Sequence, residues 1–188
     1  MLSAIIDVGN GLDPSPTFAS LSDAATDGLV REVIVADPGA SAAIAAVAEE
    51  AGARLVGAGD RSLAQACAEA RQAWLLLLRS GVRLETGWEH AAWRHINGYG
   101  DRAGWFRLSL KASGLSARLA EARADLETRL MGRVRAEQGL LISRRLYAEQ
   151  SARGAAVALP LRAWPLRRIE ARVLAERVAP QNVYWNAR

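Results

Sequence analysis

A single α/β domain with a mostly parallel central sheet flanked by helices is what this chain of 188 residues predicts. Three observations carry that expectation. Short, largely apolar runs recur through the first half at Leu2–Val8, Glu32–Asp37 and Leu75–Leu78. Between them lie segments with helical spacing. Strands that are apolar nearly throughout need cover on both faces, which is the signature of a parallel sheet between helical layers. Finally, polar residues gather just after the apolar runs, at Asp7, Asp37 and Arg79–Gly81. Open α/β sheets bind their ligands beyond the carboxyl ends of the strands, so these residues fall at the expected site.

The elements follow in order. Leu2–Val8, stopped by Gly9, Asn10 and Gly11, predicts the first strand. Pro14 and Pro16 punctuate a loop, and Thr17–Asp27 reads as a helix. Glu32–Asp37 is the second strand, ended by Pro38 and Gly39. Ser41 is placed to cap an alanine-rich helix running to about Ala51, with Gly52 as its stop. A short strand at Arg54–Val56, a helix at Leu63–Ala73 and the Leu75–Leu78 strand complete the first half. In the second half, Thr86–Ile96 predicts a helix and Trp105–Leu110 alternates like a half-buried strand. Leu115–Met131 predicts a long helix whose Leu115, Leu119, Ala122, Leu126 and Leu130 share one face, the expected inward face. Gly139–Ser143 is a further strand, and Pro160 and Pro165 bracket an arginine-rich turn. Arg162–Arg177 interleaves Trp164, Leu166, Ile169, Val173 and Leu174 with five arginines, a basic amphipathic helical pattern. Residues 179–188 read as a C-terminal tail.

Charge divides the chain. Residues 1–101 hold 7 Lys or Arg against 13 Asp or Glu, whereas residues 102–188 hold 17 against 7. The basic half points to an anionic partner, such as phosphate, nucleic acid or a membrane surface, and the Arg162–Arg177 segment to an anionic membrane surface or an acidic partner. No reading motif accompanies the charge, so sequence-specific nucleic-acid binding is not expected. No apolar run approaches the ~20 residues of a membrane span, and the N-terminus lacks the charged and apolar regions of a signal peptide. One cysteine, Cys67, allows no internal disulfide. A bacterial cytoplasmic protein is expected, with peripheral attachment to the inner membrane surface as the extension of the basic pattern.

Five segments, in order, resemble family-2 glycosyltransferases of the GT-A fold. The likeness is greatest to a small bacterial branch associated with radical-SAM or selenium-related domains, and it runs from about Met1 to Val178. Asp7-Val8-Gly9-Asn10-Gly11 stands where the family has a Pro-Thr-Leu-Asn-Glu-like turn, keeping the asparagine as Asn10. Asp37-Pro38-Gly39-Ala40-Ser41-Ala42 stands for an Asp-Gly-Gly-Ser-Thr-Asp loop, keeping Asp37. Arg79-Ser80-Gly81-Val82-Arg83-Leu84 stands for a His-Ala-Asp-Thr-Arg-Leu segment, a variant of the DXD motif. There the metal-binding aspartate falls on Gly81. Ala136-Glu137-Gln138-Gly139 matches a Gly-Asp-Gln-Gly segment on the acceptor side. Leu159-Pro160-Leu161-Arg162 is followed by Ala163-Trp164 where the family places the Glu-Asp that supplies its catalytic base.

The resemblance implies a Rossmann-like GT-A domain, with a nucleotide-binding half at 1–101 and an acceptor-side half at 102–178. It implies nucleotide contacts at Asn10, Asp37 and Arg79, and acceptor-side residues Glu137 and Gln138. It also implies a divalent cation, for which glycine supplies no side-chain ligand. The expectation is therefore a degenerate domain, without cofactor, that acts by binding a nucleotide or nucleotide-sugar. The alternatives are a metal-independent transferase, with Arg79 and Arg83 as an arginine clamp and Glu137 or Asp7 as base, or a basic interaction module. Glu170 is a further carboxylate among arginines. His90 and His95, five residues apart, do not share a helix face as metal ligands would. Trp88, Trp93 and Trp105 are expected in the core rather than as a sugar platform.

Overall fold

The computed structural model describes residues 1–9, 11–57, 59–112, 114–154, 166–176 and 185. The central strand β1 (Leu2–Asp7) pairs in parallel with β2 (Val30–Asp37) on one side and with β4 (Trp74–Arg79) on the other. β3 (Arg54–Gly57) extends the parallel half beyond β2. On the other flank β7 (Leu140–Ser143) runs antiparallel to β4 and to β6 (Ala103–Leu110). β8 (Leu166–Ala175) lies parallel to β6, and β5 (Arg83–Leu84) closes the edge antiparallel to β8. The order is β3-β2-β1-β4-β7-β6-β8-β5, one sheet of eight strands among the described residues. The expected α/β class with a mostly parallel sheet is the one observed.

Both sheet faces are covered, as the apolar strands require. Ala4, Ile6, Leu76, Leu78 and Leu141 pack on one side with Trp88 and Phe106. Ile5, Ile34, Leu75, Leu77 and Leu140 pack on the other. The helices are α1 (Ser15–Ala19), α2 (Ser22–Thr26), α3 (Ala42–Glu50), α4 (Ser62–Glu69), α5 (Trp88–Gly98), α6 (Leu115–Met131) and α7 (Arg144–Gly154). The predicted Thr17–Asp27 helix is thus two short ones, parted at Ser20 and Leu21. Ser41 stands at the N-cap of α3 without a side-chain cap bond. Trp185, in the predicted tail, is buried and its backbone N–H donates to the Val134 carbonyl at 3.0 Å.

Two expectations are overturned. Within the basic segment Arg162–Arg177, the described residues form strand β8, not an amphipathic helix. Ile169, Ala171, Val173 and Ala175 alternate with Arg168, Glu170 and Arg172, and only the first set is wholly or partly buried. A period of two satisfies a strand bonded to neighbours on both sides, and the membrane-lying helix goes with the helical pattern. Residues 162–165 and 177 lie outside the described residues. The second correction concerns α6. Its bounds are those expected, but it buries Ala117, Ala124 and Thr128 and exposes Leu115, Leu119, Ala122, Leu126 and Leu130. Small residues let the helix lie close on the sheet, where leucines would hold it away.

α6 is fixed by polar contacts at its C-terminal end. Arg135 donates from Nε and Nη2 to Glu127 Oε2 at 3.0 and 2.8 Å, with side chains 7% and 12% exposed. Removing one partner of a buried pair strands the other charge without water. Glu127→Ala is expected to lose about 3–5 kcal/mol of stability, and adding Arg135→Met should recover much of the loss. Urea denaturation of both variants measures this.

Candidate functional site

The site is built at the carboxyl ends of β1, β2 and β4. Asp7 ends β1 and is the register partner of Arg79, which ends β4. Register partners in a sheet project to the same face, here the one carrying Ile5, Leu75 and Leu77. Both side chains are buried. Asp7 Oδ1 accepts the Gly9 N–H at 3.1 Å, while Oδ2 has no hydrogen-bond partner. Arg79 Nε and Nη1 are likewise without a partner. A buried guanidinium with open N–H groups is costly and therefore uncommon in a finished fold.

The loop after β1 closes against the turn after β4. Ser80 N–H donates to the Asp7 carbonyl at 2.9 Å, and Thr17 Oγ1 donates to the Val82 carbonyl at 2.7 Å. Gly81 holds φ at +81°, and a Cβ there would lie 3.0 Å from Leu12 Cδ1. The position that resemblance assigns to a metal aspartate is thus a left-handed turn capped by a leucine. Leu12 and Thr17 were not singled out in the sequence. Their only sequence signal is the Pro14–Pro16 bracket that folds this loop back.

Asp37 ends β2, one strand over. Its Oδ1 accepts the Gly39 N–H at 2.9 Å and its Oδ2 accepts the Ser41 N–H at 2.7 Å. The carboxylate thus shapes its own turn and holds Ser41, the residue before α3. Each oxygen retains acceptor capacity for a ligand.

Glu137 and Gln138 lie on a 3₁₀ turn, Ala136–Gln138, between α6 and β7, and both are buried. Gln138 Oε1 accepts the Arg135 N–H at 3.0 Å and lies 2.9 Å from Thr128 Oγ1, while Nε2 has no partner. Gly139 ends the turn at φ +68°, where a Cβ would sit 3.1 Å from Leu78 Cδ2. Glycine therefore lets the turn press on the end of β4. Its Val134 and Ala136 pack on the same sheet face as Asp7 and Arg79.

Other expected residues separate from this cluster. Asn10 and the Leu159–Trp164 stretch, with its replaced base positions, lie outside the described residues. Arg83 is exposed on β5, paired to β8, so it does not stand beside Arg79 in the sheet. Glu170 is exposed on β8 and pairs with Arg94 at 3.3 Å. Trp88 and Trp105 are core residues as expected, whereas Trp93 is exposed. Burial pushes the Cys67 thiol up to about 12, which leaves no thiolate for nucleophilic work at neutral pH. His90 is exposed and His95 is buried, with Nε2 donating to the Arg102 carbonyl at 3.0 Å.

Among the described residues, no group of three or more His, Cys, Asp and Glu side chains is placed to hold a metal ion. A hard cation needs several oxygen ligands. Here Asp37 is engaged by backbone, Asp7 has a guanidinium as its register partner, and Gly81 offers no side chain. Also among the described residues, no helix is long and apolar enough to cross a membrane.

No protein-family model matches the chain, and no curated protein matches it. Solved structures do. Glucosyl-3-phosphoglycerate synthase from Mycobacterium tuberculosis matches with a TM-score of 0.58 at 16% identity, over 96% of this chain and 73% of that one. Its complex with Mn²⁺ and UDP-glucose matches with a TM-score of 0.55 at 16% identity, over 96% and 72%. Mannosyl-3-phosphoglycerate synthase from Rubrobacter xylanophilus gives 0.55 at 14% identity, over 78% of this chain and 54% of that one. The chain thus spans between about half and three-quarters of the length of these enzymes. At such identities the likeness is one of fold.

Two outcomes test the local account. Gly81→Asp restores the expected carboxylate to a left-handed turn under Leu12. It should lower stability by about 1 kcal/mol, and calorimetry with Mn²⁺ alone should show no binding to it. Burial, assisted by Arg167, holds His95 below its ordinary pKa of 6.5, while its bond to the Arg102 carbonyl acts the other way. The unfolded chain then takes up the proton first, so the stability His95 contributes is present above pH 6.5 and lost as pH falls below it. His95→Gln should flatten that part of a pH–stability curve measured by denaturant titration.

Proposed function

We propose that this chain, which has the fold of the GT-A glycosyltransferases, binds a nucleoside diphosphate or nucleotide-sugar without a divalent metal and acts through that binding. The single observation that carries the proposal is the buried Arg79 guanidinium, with Nε and Nη1 unpartnered at the carboxyl end of β4. Separate anionic oxygens of one ligand placed there would satisfy these N–H groups through charge-assisted bonds, the strongest kind available to a side chain. Asp37 and Asn10 supply the nucleoside contacts that the motif order implies. Asp7 Oδ2 is open to a ligand hydroxyl. Glu137 and Gln138 border the acceptor side.

Supporting the loss of transfer chemistry are the glycine at position 81 and the Ala163-Trp164 pair in the place of the base. Assignment to the radical-SAM or selenium-associated branch rests on the same motif order. A cytoplasmic setting accords with this ligand class. The solved relative crystallised with UDP-glucose and Mn²⁺ supports the nucleotide-sugar class as ligand, and Arg79 takes the charge-neutralising part of the cation.

One observation favours a second reading. Asp7 Oδ2 is an unengaged carboxylate oxygen at the same strand end. In a metal-independent transferase it would accept the proton of the attacking hydroxyl.

Titration calorimetry with UDP, GDP and their glucose and mannose conjugates tests both readings. Binding should be equal in Mn²⁺ and in EDTA, and Arg79→Gln should weaken it at least tenfold, the effect of one charged hydrogen bond. Binding that requires Mn²⁺, or the absence of binding to all four conjugates and both diphosphates, would overturn the proposal. Sugar release abolished by Asp7→Asn would establish the second reading instead.

A further inference from the structure

The β6–β8–β5 edge of the sheet gathers arginines that have no carboxylate partner among the described residues. Arg107 on β6 and Arg172 on β8 are direct register partners. Leu108 and Val173, next along, turn into the core, so both arginines project to the opposite face, where both are exposed. Arg83 on β5 is exposed too, and pairs with Leu174, two residues along from Arg172 on that same face. Adjacent strands lie about 4.8 Å apart and diagonal neighbours roughly 7–8 Å, so three like charges share one small patch. Like charges directly opposite each other destabilise a sheet.

A fourth arginine comes from α6. Exposed Arg118 lines a cleft of about 440 Å³ with Arg107, Arg129, Glu121 and Asp125. The acids of that cleft are already engaged. Asp125 Oδ2 pairs with Arg129 Nε at 2.8 Å, and Glu121 Oε1 accepts the Leu110 N–H at 2.6 Å. On the edge strand, Glu85 Oε2 accepts the Arg172 backbone N–H at 3.1 Å. The rest of the chain has no acid to add. Residues 155–165, 177–184 and 186–188, with Asn10, Ala58 and Ser113, include no Asp or Glu. A countercharge for these arginines must therefore come from another molecule.

We infer that this face binds a small phosphate-bearing molecule, held by Arg107, Arg118 and Arg172, with Arg83 adding charge beside them. A guanidinium presents paired N–H groups that match two oxygens of one phosphate. The cleft has the volume of a small-molecule site. Glu121 and Asp125 interrupt its positive lining, which disfavours a long polyanion laid along it. In the sheet, β6 and β8 stand two and three places from β4, the strand that carries Arg79. The inference is independent of the nucleotide reading.

Titration calorimetry of the full chain with inorganic phosphate and with glycerol phosphate tests it, at constant ionic strength and with circular dichroism on every variant. Both should bind the wild type, and Arg107→Gln with Arg172→Gln should weaken them at least tenfold. Arg79→Gln should leave this binding unchanged, as should Arg31→Gln with Arg145→Gln, which removes the same charge elsewhere. Without ligand, Arg172→Gln alone should raise the melting temperature at low salt, and about 0.5 M KCl should erase the gain. No binding to the wild type overturns the inference, as does a loss caused equally by the Arg31 and Arg145 pair. Binding lost with Arg79→Gln but kept by the Arg107 and Arg172 pair would assign the phosphate to the strand-end site instead. A melting temperature lowered by Arg172→Gln would make that arginine structural, and binding to anionic vesicles alone would replace the small molecule with a membrane.

Discussion

The parallel pairing of β1 on both sides is the constraint from which the site follows. Every residue of β1 is buried, and its ladder is continuous with β4 from Leu2 to Asp7. A one-residue slip would turn Ile5 and Leu77 out of one core and Ala4 and Leu76 out of the other, so the register is held by both faces together. That register places Asp7 beside Arg79. Both side chains are buried at that strand end. The Ser80–Asp7 backbone bond then carries the same register into the turn where Gly81 sits.

The Ala136–Gln138 turn is held through α6. Glu127 and Thr128 at the end of that helix reach Arg135 and Gln138, and Gly139 allows the turn to meet β4. Close seating of α6 on the sheet is therefore what positions Glu137 and Gln138. Small residues make the close seating possible and send the leucines outward. One geometric requirement thus fixes the buried turn and creates the apolar outer surface.

Three of the residues singled out by the motif resemblance, Asp7, Asp37 and Arg79, stand at the carboxyl ends of neighbouring strands. Asp37 occupies the strand end that the motif order gives it, but its two oxygens organise the backbone of its own loop. Position 81 lies in the expected turn, but left-handed backbone and Leu12 fill the space a metal-bound aspartate would occupy. Arg79, two residues before it, is a buried positive charge. A cation contributes charge from several oxygen ligands, whereas a buried guanidinium contributes it from one side chain with fixed directions.

The sequence by itself determined the α/β class, most strand positions, the bounds of α6 and the location of the polar cluster. These follow from local signals: apolar runs, Gly and Pro stops, and the fixed relation between strand ends and ligand sites. It did not determine which face of α6 packs inward, because periodicity identifies an apolar face without saying what distance the neighbouring sheet permits. Nor did it determine that the described part of the basic segment is a strand. Ten residues with arginine at intervals satisfy a helical and an alternating pattern alike, and only bonding to β6 and β5 decides between them. The open atoms of Asp7 and Arg79 belong to the tertiary structure too. Partners in a sheet come from residues more than seventy positions apart, and no local pattern records whether a third has been supplied.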